Sequence, residues 1–376
     1  MSSQTQQAVA YSGSSEDKKL TELVSYEIPQ PNADQLLIKA VAFATNPTDY
    51  KHFLGGWGAK GTFAGSDVSG EVVAIGANVK GFEVGDHVSS FDRGGNKKKP
   101  HVGLFKEYSV VDPYLTFRYP KKLKTLGADV NEYPSSKVDT FEGAAAINLG
   151  IFTVGLTYSY AFGLDFDKAK NADKTVLIWG GATATGLLAI QVAKKVYGLK
   201  VVAAASKKHE SSLKSFGADA VFDYHDSDVV SQIKAFSGDS LVYGYDTVAN
   251  LDTWNAVNDS LTDSTPVVAD NLLFLEGSAL KNPKKNAKYT KTLVYLARGE
   301  DQELGDDFVL KSSPEIAEAH LKFYKNIVPF VQDGTIQHQP LRILHDGLSS
   351  VDEAFSLLRN NKVSAEKIVF KLSESK

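Results

Sequence analysis

The sequence predicts a two-domain α/β protein, with a β-rich region up to about residue 150 and then a parallel sheet wound on both faces by helices. Two observations carry this. The stretch Thr175 to His225 reads as strand, small-residue turn, helix, strand, turn, helix, strand, which is how a doubly wound sheet begins. The chain before it shows short strand-like apolar runs punctuated by turn glycines. At 376 residues there is length enough for two substantial cores.

Taken in order, Leu36 to Val41, Val68 to Ile75 and His87 to Phe91 are the strand candidates of the first region, and Gly65, Gly70, Gly76, Gly81 and Gly85 mark its turns. From Asn148 to Phe162 an apolar, partly helical stretch leads onward. Thr175 to Trp179 is a short apolar run without charge, as a buried parallel strand should be. Gly180, Gly181, Ala182 and Ala184 then carry almost no side-chain bulk, and Gly186 opens a periodic helix through about Tyr197. Lys200 to Ala205 is the second strand, with further strands at Ala220 to Asp223, Leu241 to Val248 and Pro266 to Ala269. Asn271 to Lys291, rich in lysine and asparagine, reads as a loop with one short element. Glu315 to Val331 and Val351 to Asn360 are patterned helices, and Lys367 to Leu372 is a final strand.

The turn after the first parallel strand lets backbone N–H groups and a helix N-terminus approach a pyrophosphate. Gly181, Ala182, Thr183, Ala184, Thr185 and Gly186 are therefore candidate dinucleotide contacts. The run GGATATG lacks the strict G-x-G-x-x-G pattern, and such turns also join strands to helices with no ligand. The second strand adds to the case. It ends in Ser206, Lys207, Lys208 and His209, where an enzyme that uses NAD places an acid for the ribose 2′-hydroxyl. A hydroxyl and two cations suit a 2′-phosphate instead, each charge-assisted bond being worth roughly 1.5–3 kcal/mol. This end favours NADPH. The competing reading takes Lys207 and Lys208 as solvated lysines at a helix start.

Composition is that of an ordinary globular protein, and the formal net charge of −4 offers no long-range attraction to nucleic acid or anionic lipid. The Lys97-Lys98-Lys99 run, beside Gly94, Gly95 and Pro100, reads as a solvated loop. No charged-then-apolar leader is visible in the first residues, and the apolar stretch Val176 to Val192 is broken by Gly180, Gly181 and Gly186, so no membrane span is expected there. There is no cysteine, which precludes disulfides and thiolate zinc sites and fits a soluble, cytoplasmic protein. The eight histidines are scattered, none at a tight ligand spacing.

Five strings occur in an order that resembles a known family: TNPTDYKH at 45–52, AGSDVSGEVVAIGANVKGFEVGDHV at 64–88, the GGATATG turn, SFGADAVFDYH at 215–225 and NNKVSAEKIVF at 360–370. Together they resemble the medium-chain dehydrogenase/reductase superfamily, above all its zinc-free quinone-oxidoreductase and fungal trans-enoyl-reductase branch, with the yeast alcohol-dehydrogenase-like members. The resemblance implies a chaperonin-10-like β-barrel domain (1–150 with 321–376), a Rossmann domain (151–320), and an active site in the cleft between them. It implies that Thr48, Asp49, Tyr50 and Lys51 lie at the cofactor, with Lys51 near the reacting centre. It places Ala182 to Thr185 along the pyrophosphate, Ser206 to His209 at the adenosine phosphate, Tyr224 near the adenine, and Lys367 and Ile368 near the nicotinamide. Asn148 to Gly155, including Leu149, Phe152 and Thr153, would line the substrate pocket. Relatives of this kind are monomers or homodimers acting on small molecules. The sequence departs from the zinc alcohol dehydrogenases, whose cysteine and Gly-His-Glu positions fall here within NPTDYKH and Gly65-Ser66-Asp67.

Hydride transfer from NADPH then needs a substrate that is already electrophilic, such as an enone or a quinone. Conjugate reduction requires a hydride at the β-carbon, stabilisation of charge on the carbonyl oxygen, and a proton at the α-carbon. Lys51 suits the second role, or serves only as a cofactor contact. Tyr50 or a water suits the third, though Tyr50 reads equally as a packed aromatic. Asn46-Pro47 fixes a turn into a helix, with Asp49 favoured at its start. His52 reads either as a residue facing the cleft or as a surface or satisfied one, and Asp67 as a residue that caps or pairs locally. Trp57 and Phe53 are either pocket walls or core. The alternatives to an enoyl or quinone reductase are a zinc-free aldehyde reductase and a non-catalytic NADPH-binding protein.

Overall fold

The computed structural model describes residues 4–15, 19–305 and 308–372, which form two units. One takes the chain up to Leu149, Glu300–Ser312 and everything from Val331 onward; the other takes Gly150–Gly299 and Ser313–Phe330. The return to the first unit follows Phe330, near the end of the helix Pro314–Gln332.

The first unit is built on an eight-stranded sheet. Its path runs Thr116–Tyr119, His87–Phe91, Asp67–Ile75, Leu36–Ala44, Lys367–Lys371, Leu341–Leu344 and Glu132–Tyr133, and Tyr108–Val111 also pairs with Leu36–Ala44. Leu36–Ala44 is buried along nearly its whole length, with Lys39 alone fully exposed, so the run LLIKAVAFA reads as apolar on both faces. Its core gathers Ile38, Val68, Val72 and Val88 around three rings. Phe43 lies 5.1 Å from Phe370 and 5.7 Å from Phe105, and Phe105 lies 5.0 Å from Phe370. A separate hairpin, Thr5–Tyr11 with Thr21–Glu27, carries polar alternation that gave no strong sequence signal.

The second unit holds a six-stranded sheet with every neighbouring pair parallel. In chain order its strands are Thr175–Trp179, Lys200–Ala204, Ala220–Phe222, Leu241–Asp246, Val267–Asn271 and Ala287–Lys291. In space they run third, second, first, fourth, fifth, sixth, the order of a dinucleotide-binding doubly wound sheet. All of Thr175–Trp179 is buried, as its uninterrupted apolar run requires. The helix after it starts at Ala184, two residues before Gly186, and its last turns, Val192–Tyr197, widen to π geometry before Gly198 ends them at φ +75°. The segment 271–291, expected as a loop with one short element, ends in a short sixth strand; AKYTK sits half-exposed at the sheet edge, so it lacks the apolar run of an inner strand.

The stretch Val176 to Val192 resolves into strand, turn and helix. A different segment, Phe141–Ala161, is long and apolar enough to cross a membrane, and 83% of its apolar window lies buried inside the protein.

Gly65 has φ +94°, and a Cβ there would stand 2.2 Å from the Phe105 ring at the centre of the first core. Gly65→Ala combines backbone strain with overpacking and should lower stability by about 1–3 kcal/mol. Urea unfolding would show this as a lower midpoint at unchanged slope; an unchanged midpoint would contradict the close approach.

Candidate coenzyme and catalytic sites

In the second unit, the polypeptide between the first parallel strand and its helix is fixed by contacts that only small residues allow. Gly180 has φ +82°, and a Cβ on it would meet Thr247 Oγ1 and Val248 Cγ2 at 2.6 Å. The amides of Gly180 and Gly181 both donate to the Ala204 carbonyl at 3.0 Å, tying the turn to the second strand. A Cβ on Gly186 would stand 2.3 Å from the Gly180 oxygen, so this glycine lets the helix pack against the turn rather than opening the helix. Gly181, Thr183 and Gly186 keep the spacing of G-x-G-x-x-G, with threonine at the middle position.

Thr183 is the N-cap, its Oγ1 accepting the Gly186 amide at 2.9 Å. Its hydroxyl also meets that of Thr247 at 2.9 Å, and Thr247 donates to the Trp179 carbonyl at 2.8 Å. Ala182, Thr183, Ala184 and Thr185 are half-exposed along this rim, whereas Gly181 and Gly186 are buried. Thr247 begins the turn after Leu241–Asp246, the strand beside Thr175–Trp179 where the strand order reverses. Sequence reasoning carried that strand through to Val248 and so missed this turn. Asp246 holds it, accepting Val248 N–H at 3.0 Å, Ala249 N–H at 2.8 Å and the Thr253 hydroxyl at 2.7 Å, while burial raises its carboxyl. The residue types D-T-V-A-N, a carboxylate followed by a turn, are the signal that was available.

At the end of the second strand, Ser206 is half-exposed and Lys207 and Lys208 are exposed at the start of a short 3-10 turn with His209. Asp223, a carboxylate beside them, is already committed. It accepts Lys207 N–H at 3.0 Å and both the amide and the ring of His225, at 3.0 and 2.6 Å, and these bonds hold its carboxyl down to about 2. Burial and then the neighbouring Lys208 lower the His209 imidazole. Tyr224 is 48% exposed, its ring centroid 4.1 Å from that of His225. Phe152 is wholly buried in the second unit, with ring centroids 5.2 Å from His320 and 6.2 Å from Tyr324, and Thr153 is buried too. They form core here and offer no open surface.

In the first unit, Asn46 and Pro47 start the helix Pro47–Leu54, as the sequence indicated. Asp49 Oδ2 accepts the Asn46 amide at 2.7 Å, and the Asp49 amide donates to the Asn46 carbonyl at 3.0 Å. Asp49 Oδ1 accepts the Ser66 hydroxyl at 2.6 Å, and Tyr11 donates its hydroxyl to the Asp49 carbonyl. Burial pushes the Asp49 carboxyl up to about 7, against the pull of these donors, so Asp49 faces the interior rather than a ligand. Asp67 is equally buried. Its Oδ1 accepts the Leu149 amide at 2.8 Å; its Oδ2 accepts the Asn46 side-chain amide at 2.8 Å and the Lys367 ammonium at 3.5 Å. Lys367 also donates to Asn46 Oδ1. Lys367 and Ile368, assigned by resemblance to the nicotinamide end, thus lie buried within the first unit, where the Ile368 carbonyl accepts the Thr45 amide at 3.0 Å.

Around that helix, Lys51 is exposed, yet partial burial of its ammonium lowers its pKa below the ordinary lysine value. Thr48 meets His52 Nε2 at 2.7 Å. Burial, with Arg93 nearby, holds His52 down to about 3, so the ring is neutral, bonded also to the Gly94 backbone, and Thr48 is the donor. Tyr50 packs toward Phe355, ring centroids 6.2 Å apart, and burial raises its phenol. Phe53 stacks on Tyr11 at 4.8 Å and belongs to the core, while Trp57 is half-buried beside His52 at 5.2 Å.

Comparison with known proteins matches residues 32–121 to the alcohol dehydrogenase GroES-like domain and residues 184–269 to the zinc-binding dehydrogenase domain. The uncharacterized protein YNL134C of Saccharomyces cerevisiae is 35% identical over 92% of this chain and 94% of its own. The trans-enoyl reductase caaB of Aspergillus niger is 29% identical over 91% of each chain. The solved quinone oxidoreductase of Coxiella burnetii shares the fold, with a TM-score of 0.67 at 22% identity over 98% of this chain and all of its own.

The residues fit a nicotinamide dinucleotide: the glycine contacts that a Cβ would fill, the capped helix start and the exposed lysines are all in one unit. They do not fit zinc. The chain has no cysteine, no three His, Asp or Glu side chains converge among the described residues, and Asp67 already holds an ammonium. By the similarity it shares along nearly its whole length, the chain belongs to the medium-chain dehydrogenase/reductase superfamily of nicotinamide-dependent oxidoreductases.

Proposed function

We propose that this protein is an NADPH-dependent reductase of activated C=C bonds in α,β-unsaturated carbonyls, or of quinones, working without a metal. The observation that carries the coenzyme choice is the group at the end of the second strand, a half-exposed Ser206 and exposed Lys207 and Lys208, with the adjacent Asp223 occupied by its own donors. Bound NADPH supplies the hydride. Along Ala182 to Thr185 the half-exposed rim and the capped helix start would hold its pyrophosphate, and Tyr224 offers an exposed ring for its adenine. Lys51 is the residue proposed to stabilise negative charge on the substrate oxygen. It is the exposed cation of a helix whose Asp49 and His52 side chains are turned inward and satisfied. Tyr50, half-buried, is the proposed proton donor, or the neighbour of a water in that role. A substrate that is already electrophilic suits this equipment, since a single ammonium replaces a Lewis acid. The names of the trans-enoyl and quinone reductase relatives support the same class.

Lys207→Ala with Lys208→Ala should weaken NADPH by about tenfold or more while leaving NADH within about twofold, because the lost bonds are to the 2′-phosphate alone. Titration of both coenzymes by nicotinamide fluorescence checks this, and equal losses would refute the assignment.

Lys51 acts only while protonated. Turnover of an enone should therefore fall as pH rises through its pKa, on an alkaline limb below the ordinary 10.5. Lys51→Arg should keep activity and remove that limb, and Lys51→Ala should lower kcat by about 10²-fold with NADPH affinity little changed. A limb that persists in Lys51→Arg assigns it to another group. Oxidation of NADPH by saturated aldehydes but not by enones would favour an aldehyde reductase.

A further inference from the structure

We propose that Lys367 is a positioning residue: its buried ammonium orients Asn46, and through Asn46 it fixes the start of the helix that presents Thr48, Tyr50 and Lys51. The consequence for turnover rests on the charge-stabilising role proposed for Lys51; the structural role does not.

Strand register brings the three residues together from distant parts of the chain. Ala44 pairs with Asp67 on one side and with Val369 on the other, so residues just beyond Ala44 meet Asp67 and Lys367 at one corner of the sheet. Asn46 stands there as a hub. Its Oδ1 accepts from Lys367, its Nδ2 donates to Asp67 Oδ2 at 2.8 Å, and its backbone N–H donates to Asp49 Oδ2 at 2.7 Å. An amide has one accepting and one donating end. With a cation on one side and a carboxylate on the other, the Asn46 side chain has a single satisfied orientation, since the flipped amide would turn NH₂ toward the ammonium. Lys367 therefore supplies the polarity that decides the cap's geometry, and Asp67 takes part only because that ammonium offsets its buried charge.

The arrangement leaves Lys367 unsuited to a coenzyme. Its side chain is 5% exposed and that of Asp67 wholly buried. An ammonium reaching for a phosphate would abandon Asn46 and leave a carboxylate uncompensated in a dry site. Loss of the lysine should instead loosen the helix start, because the cap residue loses its fixed orientation while the helix, eight residues long, has little length to hold itself.

The test compares the full chain with Lys367→Met and with the neutral pair Asp67→Asn/Lys367→Met, following amide hydrogen exchange, NADPH affinity and enone turnover. In Lys367→Met, exchange at residues 49–54 should quicken about tenfold or more relative to the central strands. NADPH affinity should stay within about twofold, and kcat should fall about tenfold. Unchanged exchange at 49–54, with or without a loss of NADPH affinity, overturns the proposal. Faster exchange with undiminished turnover keeps the positioning role and removes Lys51's helix from the chemistry. If Lys367→Met does not fold, the neutral pair decides: it carries no uncompensated charge, so persistently fast exchange at 49–54 supports the proposal and native exchange refutes it.

Discussion

A carboxylate that water cannot reach has to be answered by the protein itself, and in the first unit Asp67 is such a group. It sits at the head of one strand, and its partners come from a helix cap, from the amide of Leu149 and from the strand Lys367–Lys371. None of these partners is near it in the chain. The same dry surroundings raise the neighbouring carboxyl of Asp49 to about 7, which reduces the negative charge the corner must carry. The polar cluster therefore does for this part of the sheet what apolar packing around Phe43, Phe105 and Phe370 does for its centre. It fixes which segments are neighbours, and it does so with direction.

The second unit meets a different constraint, the closeness of backbone to backbone. Gly180 and Gly186 admit the helix against the turn, and paired hydroxyls of Thr183 and Thr247 join the turns that come after two adjacent strands. Strand order reverses between those same two strands, which leaves the crevice that doubly wound sheets use for ligands. The edge proposed to hold the phosphates thus arises from packing rules before any charged residue is considered. The preference proposed for Lys207 and Lys208 would be added to a place that the backbone has already made.

Much of this could be read from residues alone. The uninterrupted run Thr175 to Trp179, the small-residue turn and the periodic helices are local signals, and the sheet they predict is present. Ser206 to His209 stand out in the sequence because residue type changes at a fixed distance from the glycines. Other features were not legible, for physical reasons. The hairpin Thr5–Tyr11 and Thr21–Glu27 is half-polar and meets the rest of its unit through isolated bridges at Phe63 and Lys106, and Ala287–Lys291 is an edge strand with lysines. Lys367 was placed at the cofactor by resemblance alone, and a lysine next to an apolar strand carries no mark of what it faces. Its partners lie at positions 46 and 67, and only the register of three strands brings them together. Phe152 shows the converse, an aromatic assigned to a pocket by its segment that is closed into the interior by His320 and Tyr324.

The inner strand Lys367–Lys371 lies between Leu36–Ala44 and Leu341–Leu344. During translation all six strands of the second sheet leave the ribosome before it does. Tyr108–Val111 already pairs with Leu36–Lys39, so the edge left waiting past the synthesis of the second unit is Ala42–Ala44. Such an edge invites the wrong strand. The later-made sheet thus has all its strands while the earlier-made one still waits for its last.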